Sequence, residues 1–150
     1  MANYTREIAH MLDRLNIKTL AQDKDGYFRK KLKVKLNLIE MLIVKHVGEH
    51  GDVRLHHLIK VMEVDRNLVT TTVNRLISLK LLQKKPDDKD GRSQVISITV
   101  SGKETYDELL REQQGELDFI LNDISINEEK TILKFISKIV QYHTEKYEIK

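Results

Sequence analysis

The sequence PDDKDGRSQVISITVSGKE, residues 86–104, interrupts a chain whose apolar residues otherwise fall at helical intervals. Its first half is charged and turn-forming and holds the only proline, while its second half alternates apolar and polar residues with the period of a strand. LLQKK (81–85) and SQVISITV (93–100) therefore read as two strands of a hairpin, joined by PDDKDGR, whose Pro, Asp and Gly residues set the turn. In the second strand Val95, Ser97 and Thr99 share one side and Ile96, Ile98 and Val100 the other, so one apolar face is expected to pack on the domain. The connecting loop is too charged to pack. The ribbon carries Lys84, Lys85, Lys89 and Arg92 outward.

Around this ribbon the chain reads as helices. Ile8, Met11, Leu12, Leu15 and Leu20 mark an amphipathic helix from residue 4 to about 20, broken at residues 22–26. Five cations crowd residues 29–35, a segment that reads as a solvated linker or as a further set of phosphate contacts. Asn37 followed three residues later by Glu40 fits a capping box, in which each side chain satisfies a backbone amide at a helix start. The near-continuous apolar run IEMLIVKHV then predicts a helix buried on most sides, ending near Gly48 or Gly51. VRLHHLIKVMEV predicts a short third helix, and Asp65 supplies the N-cap of a longer fourth one, RNLVTTTVNRLISLKLL.

That fourth helix has two unlike faces. Val69, Thr72, Val73 and Leu76 gather on one side, while Asn67, Thr70, Thr71, Asn74 and Ser78 spread over the other. A solvated helix face is ordinarily filled with Lys and Glu, which favour helices, whereas Thr and Asn do not. Short hydroxyl and amide side chains suit base edges in a major groove. A short helix, a tight turn and a longer helix with such a face form a helix-turn-helix, and a cationic hairpin beside it makes the unit a winged helix-turn-helix. Arg66, Asn67, Thr70, Thr71 and Asn74 are then the candidate groove residues, and Lys84, Lys85, Lys89 and Arg92 the candidate wing contacts.

Charge is distributed in the same sense. Residues 1–100 carry 19 Lys+Arg against 12 Asp+Glu, a balance of +7, and residues 101–150 carry 7 against 11, a balance of −4. A basic body suits a polyanionic partner, though scattered solvated charge gives the same totals. The 150 residues and 40% hydrophobic content suffice for one domain with a core. No window approaches the roughly eighteen apolar residues of a spanning helix, and the N-terminus lacks the pattern of an export signal, so a cytoplasmic location and no membrane partner are expected. The absence of cysteine removes disulfides and thiolate chemistry.

Asp90-Gly91-Arg92 matches an Asp-x-Arg element at a wing tip, and Ile98-Thr99 falls where a Leu-Thr pair follows it. Leu58, Val69-Thr70, Leu76 and Gly102 sit at the matching places in the third, fourth and fifth helices. Over residues 36–104 the chain thereby resembles the MarR family of bacterial transcription regulators, including its SarA-type branch. The resemblance implies a homodimer joined by its terminal helices, residues 1–35 and 102–150, with lobes of residues 36–101 straddling a pseudopalindromic duplex. It also implies that Asn67, Thr70, Thr71 and Asn74 read bases, that Arg92 enters the minor groove, and that Lys84, Lys85 and Lys89 hold phosphates. A small-molecule effector between dimerisation helices and DNA-binding lobe is a further implication. Asp90 either orients Arg92 or caps its own turn.

The apolar positions Tyr106, Leu109, Leu110, Leu117, Ile120, Leu121, Ile132, Leu133, Phe135, Ile136, Ile139 and Val140 supply a dimerisation surface, or else complete the core of the monomer. Two departures from the family pattern stand out: Glu63 and Lys80 occupy positions where relatives often have glycine, so remodelled turns are expected there. His46 and His50, with Glu49 nearby, and the adjacent His56 and His57 each offer too few ligands for a metal site, so no metal or cofactor is expected. No glycine-rich phosphate loop, Gly-x-Ser-x-Gly elbow or His-Glu-x-x-His occurs, which argues against an enzyme. The reading is a DNA-binding transcription regulator, most simply a repressor; the alternative is a winged-helix module that binds protein.

Overall fold

A computed structural model describes residues 3–25 and 34–148. Among the described residues nine elements follow in chain order: α1 (Thr5–Asp25), α2 (Leu38–His50), β1 (Val53–Arg54), α3 (Leu55–Met62), α4 (Arg66–Ser78), β2 (Leu82–Pro86), β3 (Gln94–Ile98), α5 (Val100–Ile120) and α6 (Ile126–Glu148). The chain divides into two units, residues 1–110 and 111–150. A winged helix-turn-helix lies within the first.

The lobe is built around α2. Asn37 and Glu40 form the expected capping box: the Asn37 side chain accepts the Glu40 amide at 2.9 Å, and Glu40 Oε1 accepts the Asn37 amide at 2.8 Å. Asp23, near the end of α1, accepts the Leu38 amide at 2.7 Å, so a carboxylate of α1 satisfies another open donor of α2. Met41, Ile43, Val44 and Val47 of α2 are buried with Leu58 of α3, Val69, Val73 and Leu76 of α4, Leu82 of β2 and Ile96 of β3. Each such side chain contributes roughly 1.5–3 kcal/mol on leaving water. Tyr106 and Leu109 of α5 also enter this core. They are therefore not free for pairing between subunits, contrary to their place in the expected dimerisation set. The cause is Gly48: a Cβ there would lie 2.3 Å from Cδ1 of Tyr106, so the missing side chain leaves the space the ring fills.

The hairpin forms with β2 and β3 antiparallel, in the register Leu82 to Ile98, Lys84 to Ile96 and Pro86 to Gln94. A third strand, not foreseen, adds β1 to the other edge of β3, pairing Val53 with Ile96 and Arg54 with Val95. At two residues β1 is too short to show a period. The second strand ends earlier than its alternation predicts. Thr99 donates its amide to the Leu81 carbonyl at 3.1 Å and its hydroxyl to the Lys80 carbonyl at 2.6 Å, and that hydroxyl accepts the Gly102 amide at 2.9 Å. One threonine thus closes the ladder and opens α5. Val100 consequently belongs to the helix and is 83% exposed, whereas Ile96 is fully buried as expected.

The two glycine departures are not resolved by remodelling. Glu63 ends α3 with φ 54 and ψ 16, and Lys80 has φ 62, both left-handed. After α4 the Lys80 amide reaches the Ile77 carbonyl at 2.9 Å and the Leu81 amide the Leu76 carbonyl at 3.0 Å, the paired bonds of a Schellman motif. That motif turns the chain into β2 and requires the left-handed residue whatever its side chain. Glu63→Gly and Lys80→Gly are each expected to raise stability by about 0.5–1 kcal/mol, because the left-handed penalty removed outweighs the added chain entropy of glycine. Urea denaturation of the single variants measures this, and a lowered midpoint in both would refute the strain.

The second unit holds the end of α5 and α6, which opens on a capping box missed in the sequence: Ser125 donates its amide to Glu128 at 3.0 Å and accepts the Glu128 amide at 3.2 Å. Hydrogen bonding from Ser125, by its backbone first and then its side chain, holds the Glu128 carboxyl below its usual range. Leu133, Phe135, Ile136 and Val140 of α6 are exposed. In the first unit Ile8, Met11, Leu15 and Leu20 of α1 are likewise exposed. Among the described residues no helix is long and apolar enough to cross a membrane.

Candidate nucleic-acid interface

α4 begins where its sequence requires. The Asp65 carboxylate accepts the Leu68 amide at 3.1 Å, and Val69, Thr72, Val73 and Leu76 turn into the core. Thr72 is the buried threonine of the three, its hydroxyl donating to the Leu68 carbonyl at 2.6 Å. Arg66, Asn67, Thr71 and Asn74 are exposed and Thr70 is half-buried, so the polar residues singled out in the sequence lie on the outward side of one helix. Ser78, which joins them on the wheel, donates to the Asn74 carbonyl at 3.1 Å.

What fixes this helix against the lobe was not legible beforehand. Arg75 bonds through Nε to Glu40 Oε2, and Glu40 is only 1% exposed. The buried carboxylate is therefore satisfied twice, by the first turn of α2 on one oxygen and by α4 on the other. The sequence pattern marks Glu40 as a cap alone; its second partner is 35 residues away, a separation no local pattern reports.

The wing is tied down at its root and capped at its tip. Arg54 of β1 pairs with Asp87 at 2.9 Å, and Lys85 pairs with Asp52 at 3.3 Å. Both ties join the hairpin to the β1 segment. At the tip the Asp90 carboxylate accepts the Arg92 amide at 3.1 Å and the Ser93 hydroxyl at 3.2 Å, while the Ser93 amide donates to the Asp90 carbonyl at 3.0 Å. Asp90 thus shapes the turn through the backbone of Arg92 rather than by an ion pair with its guanidinium. Lys84, Lys85, Lys89 and Arg92 are all exposed, though Lys85 already has a carboxylate neighbour. Lys35, the described member of the cationic segment, is exposed; Arg29, Lys30, Lys31 and Lys33 lie outside the described residues.

Histidines gather elsewhere on the lobe. His46, His50, His56 and His57 line a cleft of about 350 Å³ with Asp52, Val53 and Arg54, and the His46 and His50 rings stack with centroids 4.3 Å apart. Among the described residues no three metal-ligating side chains are placed to share an ion. Burial, and then the neighbouring His50 and His57, hold His46 below its ordinary value of 6.5, against a smaller opposing pull from Glu49. The unfolded chain therefore takes up this proton first as pH falls. The stability linked to His46 is complete above about pH 6.5 and is lost as pH drops through its lower folded value. His46→Gln is expected to flatten the fall in melting temperature between about pH 7 and 5; an unaltered pH profile would exclude the effect.

The winged lobe also fixes the relationships of the chain. A family model described as MarR family matches residues 35–93, from just before α2 to the wing tip. Over that lobe the chain is similar to the MarR family. Two curated relatives are similar over 106 residues: the HTH-type transcriptional regulator YwhA of Bacillus subtilis, 22% identical and matched over 71% of this chain and 76% of that protein, and the HTH-type transcriptional repressor NicR of Pseudomonas putida, 24% identical over 71% and 67%. Among solved structures, Streptococcus pneumoniae FabT in complex with DNA superposes with a TM-score of 0.79 at 18% identity, covering 95% of this chain and 99% of that one. A mutant MarR from E. coli complexed with operator DNA gives 0.70 at 14% identity, covering 93% and 99%. At such identities the likeness establishes the MarR winged-helix fold. Both curated relatives carry the description of transcriptional regulators or repressors.

Proposed function

We propose that this MarR-like protein binds a pseudopalindromic DNA duplex as a homodimer and represses transcription in the cytoplasm. The observation that carries the reading is the outward face of α4, where Asn67, Thr71 and Asn74 are exposed beside Thr70, on the lobe that also bears the Lys84, Lys89 and Arg92 cations. Short donor-acceptor side chains read base edges, and Lys84 and Lys89, with Arg66, hold the backbone. Arg92 is the minor-groove residue of the wing, aimed by the turn that Asp90 caps. The exposed apolar side chains of α1 and α6 are the material for pairing two subunits. The similar FabT and E. coli MarR structures contain DNA, and NicR is a repressor, which supports both parts of the proposal.

Arg92→Ala tests the wing. Its affinity for a duplex selected from a random pool is expected to fall about tenfold or more, as loss of a charge-assisted contact implies, while sedimentation shows an unchanged dimer. Equal affinity of variant and parent would remove the wing from the interface.

A further inference from the structure

Leu68 breaks the polar character of the outward side of α4. It is 46% exposed, in the first turn of the helix, and one turn before Thr71 on a neighbouring strip of the surface. Its position is held from both sides: its amide donates to Asp65 at 3.1 Å and its carbonyl accepts the Thr72 hydroxyl at 2.6 Å. A branched aliphatic group displayed to water at a fixed place gains nothing for the helix, and a polar residue there would serve the first turn as well. The major groove presents one apolar group, the C5 methyl of thymine, and the N-terminal residues of a recognition helix are those that reach base edges.

We propose that Leu68 reads a thymine methyl, so that each half-site of the duplex this protein recognises carries a thymine at one defined position. The inference rests on the duplex-binding reading above and adds a base to it. Amide and hydroxyl groups at Asn67, Thr71 and Asn74 supply hydrogen-bonded readout, and Leu68 supplies the apolar readout they cannot. Val61 and Val64, also exposed just before α4, make a protein partner for this patch the competing outcome.

Duplexes selected from a random pool by the whole chain serve as the probe, each thymine then being exchanged singly for deoxyuridine, which removes only the C5 methyl. At one thymine per half-site the exchange is expected to weaken binding by the parent protein about fourfold, the factor that burying one methyl-sized group supplies. Leu68→Ala should bind thymine and deoxyuridine duplexes alike at that position, and Leu68→Met, which keeps apolar reach, should retain the preference. Melting curves of both variants matching the parent exclude a folding effect. A methyl preference that persists in Leu68→Ala, no methyl preference anywhere, or an equal loss on every sequence overturns the thymine contact while leaving duplex binding in place. A pool from which nothing is enriched overturns duplex binding and this inference together.

Discussion

Raising salt from 50 to 200 mM is expected to lower the affinity of this protein for its selected duplex by about three to five decades. Arg66, Lys84, Lys89 and Arg92 are exposed on each lobe, and a dimer doubles them to about eight cations brought against the duplex, for which counterion release predicts a slope near −7 in log affinity against log salt. Lys85 is left out of that number because Asp52 already holds it at 3.3 Å, so its contact with a phosphate would have to displace a carboxylate. Fluorescence anisotropy across the salt range checks the slope. A flat response would mean that the basic balance of the first hundred residues is ordinary solvated charge, and the lobe would have to be assigned to a protein partner instead.

The second large effect concerns the fold. Gly102→Ala is expected to cost about 3 kcal/mol or more, which for a chain of this size lowers the melting temperature by about 6–12 °C. A Cβ at residue 102 would stand 1.9 Å from the Leu81 carbonyl oxygen and 2.8 Å from Cγ1 of Ile98. The obstacle is backbone, which cannot rotate away. Relief requires α5 to withdraw from the start of β2, breaking the Thr99 bonds that close the ladder. Gly91→Ala is the control, since nothing lies within 4 Å of a Cβ there. Similar melting temperatures for the two variants would show that α5 can shift freely and that Gly102 is not a steric requirement.

The parts of this molecule visible in its sequence are those governed by short-range rules. The Asn37–Glu40 box, the Asp65 cap, the inward side of α4 and the hairpin follow from spacing within a few residues, and the structure has each of them. The polar face of α4 was legible for the same reason: a helical wheel separates Asn67, Thr71 and Asn74 from Val69, Val73 and Leu76 without knowledge of any partner. What escaped depends on distant groups. The Arg75 tie to Glu40, the docking of β1 on β3 and the entry of Tyr106 into the lobe join residues far apart in the chain. Val100 continues an apolar alternation that predicts strand, but the hydrogen bonds of Thr99 outweigh one more strand residue. Glu63 and Lys80 lack the residue type their turns favour, and composition alone could not tell a strained turn from a rebuilt one.

The two oxygens of the Glu40 carboxylate have different duties, one at the opening of α2 and the other on Arg75 of α4. The crossing of these helices is thereby set by the three covalently joined atoms Oε1, Cδ and Oε2 between two polar anchors, and not solely by the bulk of the aliphatic groups between them. Exchange of one aliphatic residue for another beneath α4 can consequently alter how tightly the lobe is filled without re-aiming Asn67, Thr71 and Asn74, whereas shortening residue 40 to aspartate would misdirect them with the interior still intact.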